Sequence, residues 1–490
     1  MTVLEPAVTA VPAQGAAPSL AVTPVSAAAD RLPLTITEAA SSLRSGTWTS
    51  VGLTEAVIAR AAAIDPAMGT YIVRADETAL AAAAAADAEL ASGLDKGPLH
   101  GIPLGIKDIL ATDEAASTGQ SLILDPAWGE AGDGPVVARL REAGAVITGK
   151  TTTMEYAIGL PDFEKPFPIP RNPFSLSHWP GGSSSGTGSG VTAGMFLGGL
   201  GTDTGGSVRM PASWSGISGI KQTFGRVPKA GCLPLGYSYD HVGPMTRSAR
   251  DCAVMLAVMA GHDNADACSV DVPVDDYVGA LTGSVAGLTI GVDFSVASDP
   301  GTLELLRAAA AELEAAGATV VEVTLPLWNE LFTAVMVCAA EAFAYHRGDL
   351  QSRWTDYGSP TRMAISRAIM TTAADFVQAQ RVRRAGVKLA AELFAGVDVV
   401  LTPTCDGPAP LVDGMTWDGM LSKVLCAYWN ALGYPALSVP MGLVDGLPVG
   451  LQIAGRPFAE ATVLQVGDAY QQLTTHHLTE SPLVLEMLAG

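Results

Sequence analysis

GGSSSGTGSGVTAGMFLGGLGTDTGGSVR, residues Gly181–Arg209, sets two Ser-Gly clusters on either side of an apolar run. Glycine lets backbone N–H groups approach a ligand closely and tolerates positive φ. Serine carries a hydroxyl that can attack a carbonyl or relay a proton. VTAGMFLGGL between the clusters reads as one buried element that brings two loops together. The second cluster ends in Gly205-Gly206-Ser207, a tight turn ahead of Val208–Ser213, which has the makings of a helix. A serine there projects its Oγ into the space the preceding N–H groups face, as a nucleophile beside an oxyanion hole does. The same letters also suit an ordinary Gly-Ser loop.

Outward from this stretch the chain alternates helical and strand patterns. Pro98–Leu110 (PLHGIPLGIKDIL) reads as a buried strand with its loop. A helix over Pro135–Glu142, Gly144 and a strand Ala145–Thr148 follow. The grammar recurs as strand Leu288–Val292, helix Leu303–Ala315, Gly317 and strand Thr319–Val323, a βαβ unit. Helices are also predicted over Thr54–Ala63 and the alanine-rich Glu77–Leu90. Trp328 to Leu393 reads as mostly helical, and Val397–Thr402 as a short buried strand. Ala436–Val439 and Pro448–Ile453 flank Asp445-Gly446, a hairpin signal. A final helix presents Val463, Val466, Tyr470 and Leu473 on one face. The predicted class is α/β, with a large central mixed sheet covered by helices on both faces. Residues 1–32, rich in Ala, Pro, Val and Ser, read as a flexible tail. Residues 33–490 read as one domain with a helical insertion around 328–393, and no tandem repeat is visible.

Composition narrows the function. Of 490 residues, 48% are hydrophobic and 16% charged, and the net charge is −21. Typical domains are about a quarter charged, so a large core is within reach of this chain. So acidic a chain offers no footprint for nucleic acid or an anionic membrane. Cys232, Cys252, Cys268, Cys338, Cys405 and Cys426 form no CxxC pair and read as reduced thiols. The seven histidines show no ligand spacing, so no metal and no cofactor is expected. No apolar run reaches a membrane span, and no basic segment opens the chain, since its first basic residue is Arg31. A reducing cytoplasm is the expected setting, and a homodimer is an assembly the sequence leaves open.

A nucleophilic serine needs a base. Ser183-Ser184-Ser185 sits in a GxSxG pattern, but Ser177-His178-Trp179-Pro180 precedes it where a nucleophile elbow needs an apolar strand. A phosphate loop needs Gly-Lys-Ser/Thr, and no lysine lies between Lys165 and Lys221. No histidine has a suggestive context. Lys107 remains, among the apolar residues of GIPLGIKDI. Burial there drives its pKa toward neutrality and makes it a base. A salt bridge to Asp108 would instead leave it an ordinary ion.

Taken together, GIPLGIKD, the Gly-Gly-Ser-Ser of Gly181–Ser184 and GTDTGGSVR resemble the amidase signature family. Ser183 and Ser207 stand 24 residues apart, the separation of that family's two serines. The resemblance extends over Gly149-Lys150-Thr151 with Glu155-Tyr156, Asn172-Pro173, GIKQTFGRVP (Gly219–Pro228), DHVGPMTRSARD (Asp240–Asp251), LTPT (Leu401–Thr404) and GLPVGLQIAGRPF (Gly446–Phe458). It implies Ser207 as acyl nucleophile, Ser183 as bridging serine behind a cis bond from Gly182, and Lys107 as base. It further implies an oxyanion hole from the N–H groups of Thr204, Gly205, Gly206 and Ser207. Asp203 and Arg209 are expected to hold the turn, and Lys150 and Lys221 to be structural. Tyr156 and Ile158, within Met154–Leu160, would line the acyl side. Asp162–Arg171 would form a rim, and Met336–Tyr345 with Met363–Gln378 a cover.

Two departures stand out. GGSSSGTGS replaces the commoner GGSSGGS, placing Ser185 and Thr187 near the active loop, and GIKQT replaces GLKPT at Gln222. The implied activity is hydrolysis of a neutral, fairly hydrophobic amide, an aryl or acyl amide in the manner of an aryl acylamidase. Carbamates (a urethanase-like activity) and esters follow by the same tetrahedral chemistry. The partners are then a small amide substrate and water. The alternatives are the amidase subunit of a tRNA-dependent amidotransferase and a non-catalytic binding protein on the same fold.

Overall fold

The computed structural model describes residues 31–130, 132–337 and 339–489. The predicted tail therefore lies almost wholly outside the described residues, as does Cys338.

Eleven strands form one sheet: β1 (Tyr71–Arg74), β2 (Pro103–Lys107), β3 (Val146–Thr151), β4 (Gly198–Asp203), β5 (Ser218–Lys221), β6 (His241–Thr246), β7 (Thr289–Val292), β8 (Thr319–Glu322), β9 (Val399–Pro403), β10 (Ala436–Val444) and β11 (Leu447–Gly455). Their spatial order is β1-β3-β2-β4-β6-β5-β10-β11-β9-β7-β8. β2 runs parallel to β3 and β4, and β7 parallel to β8 and β9; the other pairings are antiparallel. The mixed sheet predicted from alternating helices and strands is thus the sheet observed. Every residue of β2, β3 and β4 is buried, as central strands covered on both faces should be.

The αβ grammar holds in detail. Asp299 caps the helix Pro300–Ala315 by accepting from Thr302 N–H, and Pro300 sits at its first position. β7, this helix and β8 make the parallel βαβ unit. Asp445 and Gly446, at φ 52° and 79°, form the turn between β10 and β11, the two positive φ values that a type I′ hairpin requires.

The Ser-Gly stretch differs from its reading as two loops around one element. Ser185–Ala193 is a helix in which every residue is buried, followed by a turn at Gly194 and then β4. Glycine and serine are poor helix formers, so this helix exists because its surroundings leave room for little else. A Cβ on Gly190 would lie 2.2 Å from the Phe196 ring. Close packing, not local propensity, selects the residues here.

The segment read as a helical insertion contains helices Trp328–Met336, Ala339–Ser352, Ser359–Ser366 and Ala373–Leu393, with a 3₁₀ turn at Arg367–Met370. The helix Glu460–Leu473 buries Val463, Val466 and Tyr470, whereas Leu473 is half exposed. It is not the last helix, as the sequence suggested. Pro482–Ala489 follows and buries Val484 in the apolar cluster that also holds Ile64, Tyr71 and Phe196. No described helix is long and apolar enough to cross a membrane.

Candidate active site

β2 ends at Lys107 and β4 ends at Asp203, and the two strands lie side by side, third and fourth in the order of the sheet. The Ser-Gly helix crosses above them, so the residues at its start face the ends of both strands. Lys107 is fully buried. Its Nζ lies 2.7 Å from Ser183 Oγ, 3.0 Å from Ser184 Oγ and 2.8 Å from Thr202 Oγ1. All three neighbours are hydroxyls, which accept from an ammonium or donate to a free amine. Burial pushes the Lys107 pKa down to about 7.

The salt bridge that Asp108 might have offered Lys107 is absent. Asp108 instead accepts from the Thr118 hydroxyl and stands 3.9 Å from Lys150. Lys150 donates to the Leu110 carbonyl and to Ser117 Oγ. Lys221 likewise donates to the carbonyls of Gln222 and Tyr434. Both act as tethers for backbone. His178 hydrogen-bonds Ser175 Oγ at 2.8 Å, on the far side of the Trp179-Pro180 link from the serines.

The peptide bond between Gly182 and Ser183 is cis. Ser184 N–H donates to the Ser207 carbonyl at 3.2 Å, tying the two serine segments together. Ser184 Oγ also accepts from Thr202 N–H at 3.1 Å, which pins it beside β4. Ser183 and Ser207 line the same cavity. No hydrogen bond joins their hydroxyls, and Ser207 is only partly buried.

Asp203 organises the turn that presents Ser207. It accepts from Gly206 N–H (2.8 Å), Val208 N–H (3.2 Å) and Asn430 Nδ2 (2.8 Å). It also accepts two hydrogen bonds from one edge of the Arg209 guanidinium, from Nε and Nη2, each at 2.9 Å. Arg209 continues to the Cys426 carbonyl, Gln452 and Asn430. Burial alone would raise the Asp203 pKa, but the Arg209 guanidinium overrides it and holds the carboxyl well below its ordinary value. Asp203 and Arg209 are therefore the braces that the sequence suggested.

Two assignments change. Gly206 N–H points at Asp203 rather than into the cavity, and Gly206 does not line it; Thr204, Gly205 and Ser207 do. The set of candidate oxyanion donors loses that member, because the carboxylate needs the same hydrogen. Tyr156 also lies outside the cavity lining: its ring packs on His346 (4.3 Å between centroids) and Tyr357. Ile158 and Gly182 do line the cavity. Of the proposed cover, Met336, Val337, Ala339, Ala364, Arg367, Ala368 and Thr371 reach it, whereas no residue of Asp162–Arg171 does.

Three neighbours escaped the sequence reading: Ser184, Thr202 and Asp240. Asp240 is buried, accepts from Thr204 Oγ1 at 2.5 Å and from the N–H groups of Leu235 and Gly236. Burial raises its pKa to about 6. It stood in the quoted DHVGPMTRSARD, but nothing local marked its contact with Thr204. Of the departures, Thr187 Oγ1 bonds Thr151 Oγ1 and the Leu200 carbonyl, tying the helix to β3 and β4. Ser185 Oγ is buried without a partner among the described residues. Gln222 Nε2 takes the Val242 carbonyl at 2.9 Å.

The cavity above Ser207 holds about 360 Å³ and is walled mostly by apolar side chains, among them Met154, Ile158, Trp179, Met210, Val335 and Met420. It can seat a small, largely apolar molecule against the serines.

Comparison with known proteins agrees with this layout. The Amidase family model matches residues 52–464. The A-type subunit of the glutamyl-tRNA(Gln) amidotransferase of Chloroflexus aggregans (strain MD-66 / DSM 9485) is 39% identical over 474 residues, spanning 91% of this chain and 97% of that one. The native peptide amidase from Stenotrophomonas maltophilia superposes with a TM-score of 0.76 at 30% identity, covering 90% of this chain and 97% of that one. A bacterial aryl acylamidase belonging to the amidase signature enzymes superposes with a TM-score of 0.81 at 25% identity, covering 91% and 98%. With an eleven-stranded mixed sheet of the same architecture and a family match over most of its length, the chain belongs to the amidase signature family of C–N hydrolases.

Proposed function

We propose that this protein is a serine amidase that forms an acyl-enzyme on Ser207, with a proton relay from Ser207 through Ser183 to Lys107. The observation that carries the reading is the Lys107 amine, buried, surrounded by hydroxyls and bonded to Ser183, which with Ser207 lines an apolar cavity. A lysine with its pKa near 7 is substantially neutral at physiological pH. Ser207 Oγ adds to the amide carbonyl and passes its proton to Ser183, whose own proton goes to Lys107. The relay then returns a proton to the leaving nitrogen as the C–N bond breaks. Water repeats the sequence on the ester and frees the acid. In this reading the Ser183–Ser207 hydrogen bond forms when substrate is seated, since catalytic hydrogen bonds are often made only in the complex. Backbone N–H groups of Thr204, Gly205 and Ser207 stabilise the oxyanion, each contributing roughly 10²–10³ in rate.

The mostly apolar lining supports a largely hydrophobic amide as substrate, and in this reading the chain acts on it alone. Whole-chain similarity supports a second reading more strongly than it supports this one: the amidase subunit of a tRNA-dependent amidotransferase. The net charge of −21 speaks against direct nucleic-acid contact by this chain, though not against a partner that supplies it. The deciding experiment compares the isolated chain on p-nitroacetanilide and on glutamine. Anilide turnover abolished by Ser207→Ala supports the first reading. Glutaminase activity that requires a second, copurifying polypeptide supports the second.

A further inference from the structure

Among the described residues that line the cavity, Arg367 alone carries a full charge. It opens the 3₁₀ turn Arg367–Met370, between the helices Ser359–Ser366 and Ala373–Leu393. Its side chain is 56% exposed, which places the guanidinium at the rim. Its commitments are slight. Asp418 stands 3.9 Å away, beyond hydrogen-bond reach, with its side chain 90% exposed. Such a pair in water is weak and exchanges readily. The Trp417 ring lies 5.7 Å from the guanidinium carbon and gives it an aromatic platform. Below, the walls offer hydroxyls at Ser207 and Ser183 but no anion.

We propose that Arg367 is a carboxylate-binding subsite, so that the preferred substrates are apolar amides carrying a carboxylate at the end remote from the scissile bond. This specificity rests on the Ser207 hydrolase reading above. The planar fork of arginine takes a carboxylate through two parallel hydrogen bonds, and the apolar walls hold the chain between that end and the amide. The Asp418 pair yields to the ligand because it is exposed and long.

The test uses two matched pairs of amides. In the first, an ω-carboxyacyl anilide is compared with a methyl-terminated acyl anilide of equal length. In the second, an acylated 4-aminobenzoate is compared with the acylated 4-methylaniline, which moves the carboxylate to the leaving side. The readout is the ratio of kcat/KM, carboxylate over neutral. The expected ratio is roughly 10–100-fold in one pair, the size of one charge-assisted interaction. It falls to near one in Arg367→Gln and is kept in part by Arg367→Lys. Added salt lowers it. The same ratio, read as binding constants in a Ser207→Ala background by calorimetry, needs no turnover. Absent hydrolysis with a retained binding ratio therefore defeats the Ser207 reading and sustains the subsite. Ratios near one in both pairs, or a ratio indifferent to Arg367→Gln, overturn the subsite.

Discussion

The Lys107 amine stands 2.7 Å from the Ser183 hydroxyl, both are buried, and no carboxylate pairs with that amine among the described residues. A lysine so placed is not one half of an ion pair; its partners are three hydroxyls. Its neighbours match a free amine as well as they match an ammonium, and this interchangeability is what a relay needs.

If the three side chains act as one device, their deletions do not add. Ser207→Ala, Ser183→Ala and Lys107→Ala are each expected to lower kcat on an anilide by roughly 10³-fold or more. The triple variant is expected to be little worse than the worst single one. Steady-state kinetics on the native protein and the four variants checks this.

Asp203 and Arg209 form a fully buried pair at 2.9 Å, and Asp203 also fixes Gly206 N–H. Arg209→Met leaves a buried carboxylate without its cation. A loss of about 3–5 kcal/mol is expected, read as a lowered midpoint in urea unfolding. Activity is expected to fall in the fraction that remains folded, because the turn beneath Ser207 loses its anchor.

Gly206 sits at φ 131°, and a Cβ there would come 2.7 Å from Cys426 Cβ. Gly206→Ala must therefore shift the turn. Displacement of a reacting atom by about 1 Å can cost roughly 10²-fold. The expected outcome is a drop of that order in kcat with a smaller change in KM.

Ile158 lines the cavity, whereas Tyr156, two residues earlier, packs on His346 and Tyr357. Ile158→Asn is expected to raise KM for an apolar anilide roughly tenfold. Tyr156→Phe is expected to leave KM near that of the native protein. Michaelis curves on one anilide separate the two.

Sequence carried the elements whose cause is local. The helix read over Leu303–Ala315 is marked by Gly317 at its end and in fact begins at Pro300, capped by Asp299, and the hairpin of β10 and β11 is marked by Asp445-Gly446. The Ser-Gly helix was illegible because its cause is tertiary: contacts such as Gly190 against Phe196 override poor propensity. At the site, Lys107 stood out as a lysine in an apolar strand, and its meeting with Ser183 follows from the packing of the Ser-Gly helix against β2 and β4. Thr202 and Ser184 were hidden because their role is one of position beside Lys107, and no side-chain type signals that. The direction of Gly206 N–H was hidden for the same reason, since a motif names residues but not where a backbone hydrogen points.

The central claim is that an uncharged lysine starts the reaction, and burial places the Lys107 pKa at about 7. Below that pH the amine carries a proton and cannot accept another; above it the amine is free. The dependence of kcat/KM on pH tests this most directly. The account predicts a rise of tenfold per pH unit on the acid side, an inflection near 7 and a level region above it. A profile flat from pH 5 to 9, roughly two units either side of that inflection, would contradict it.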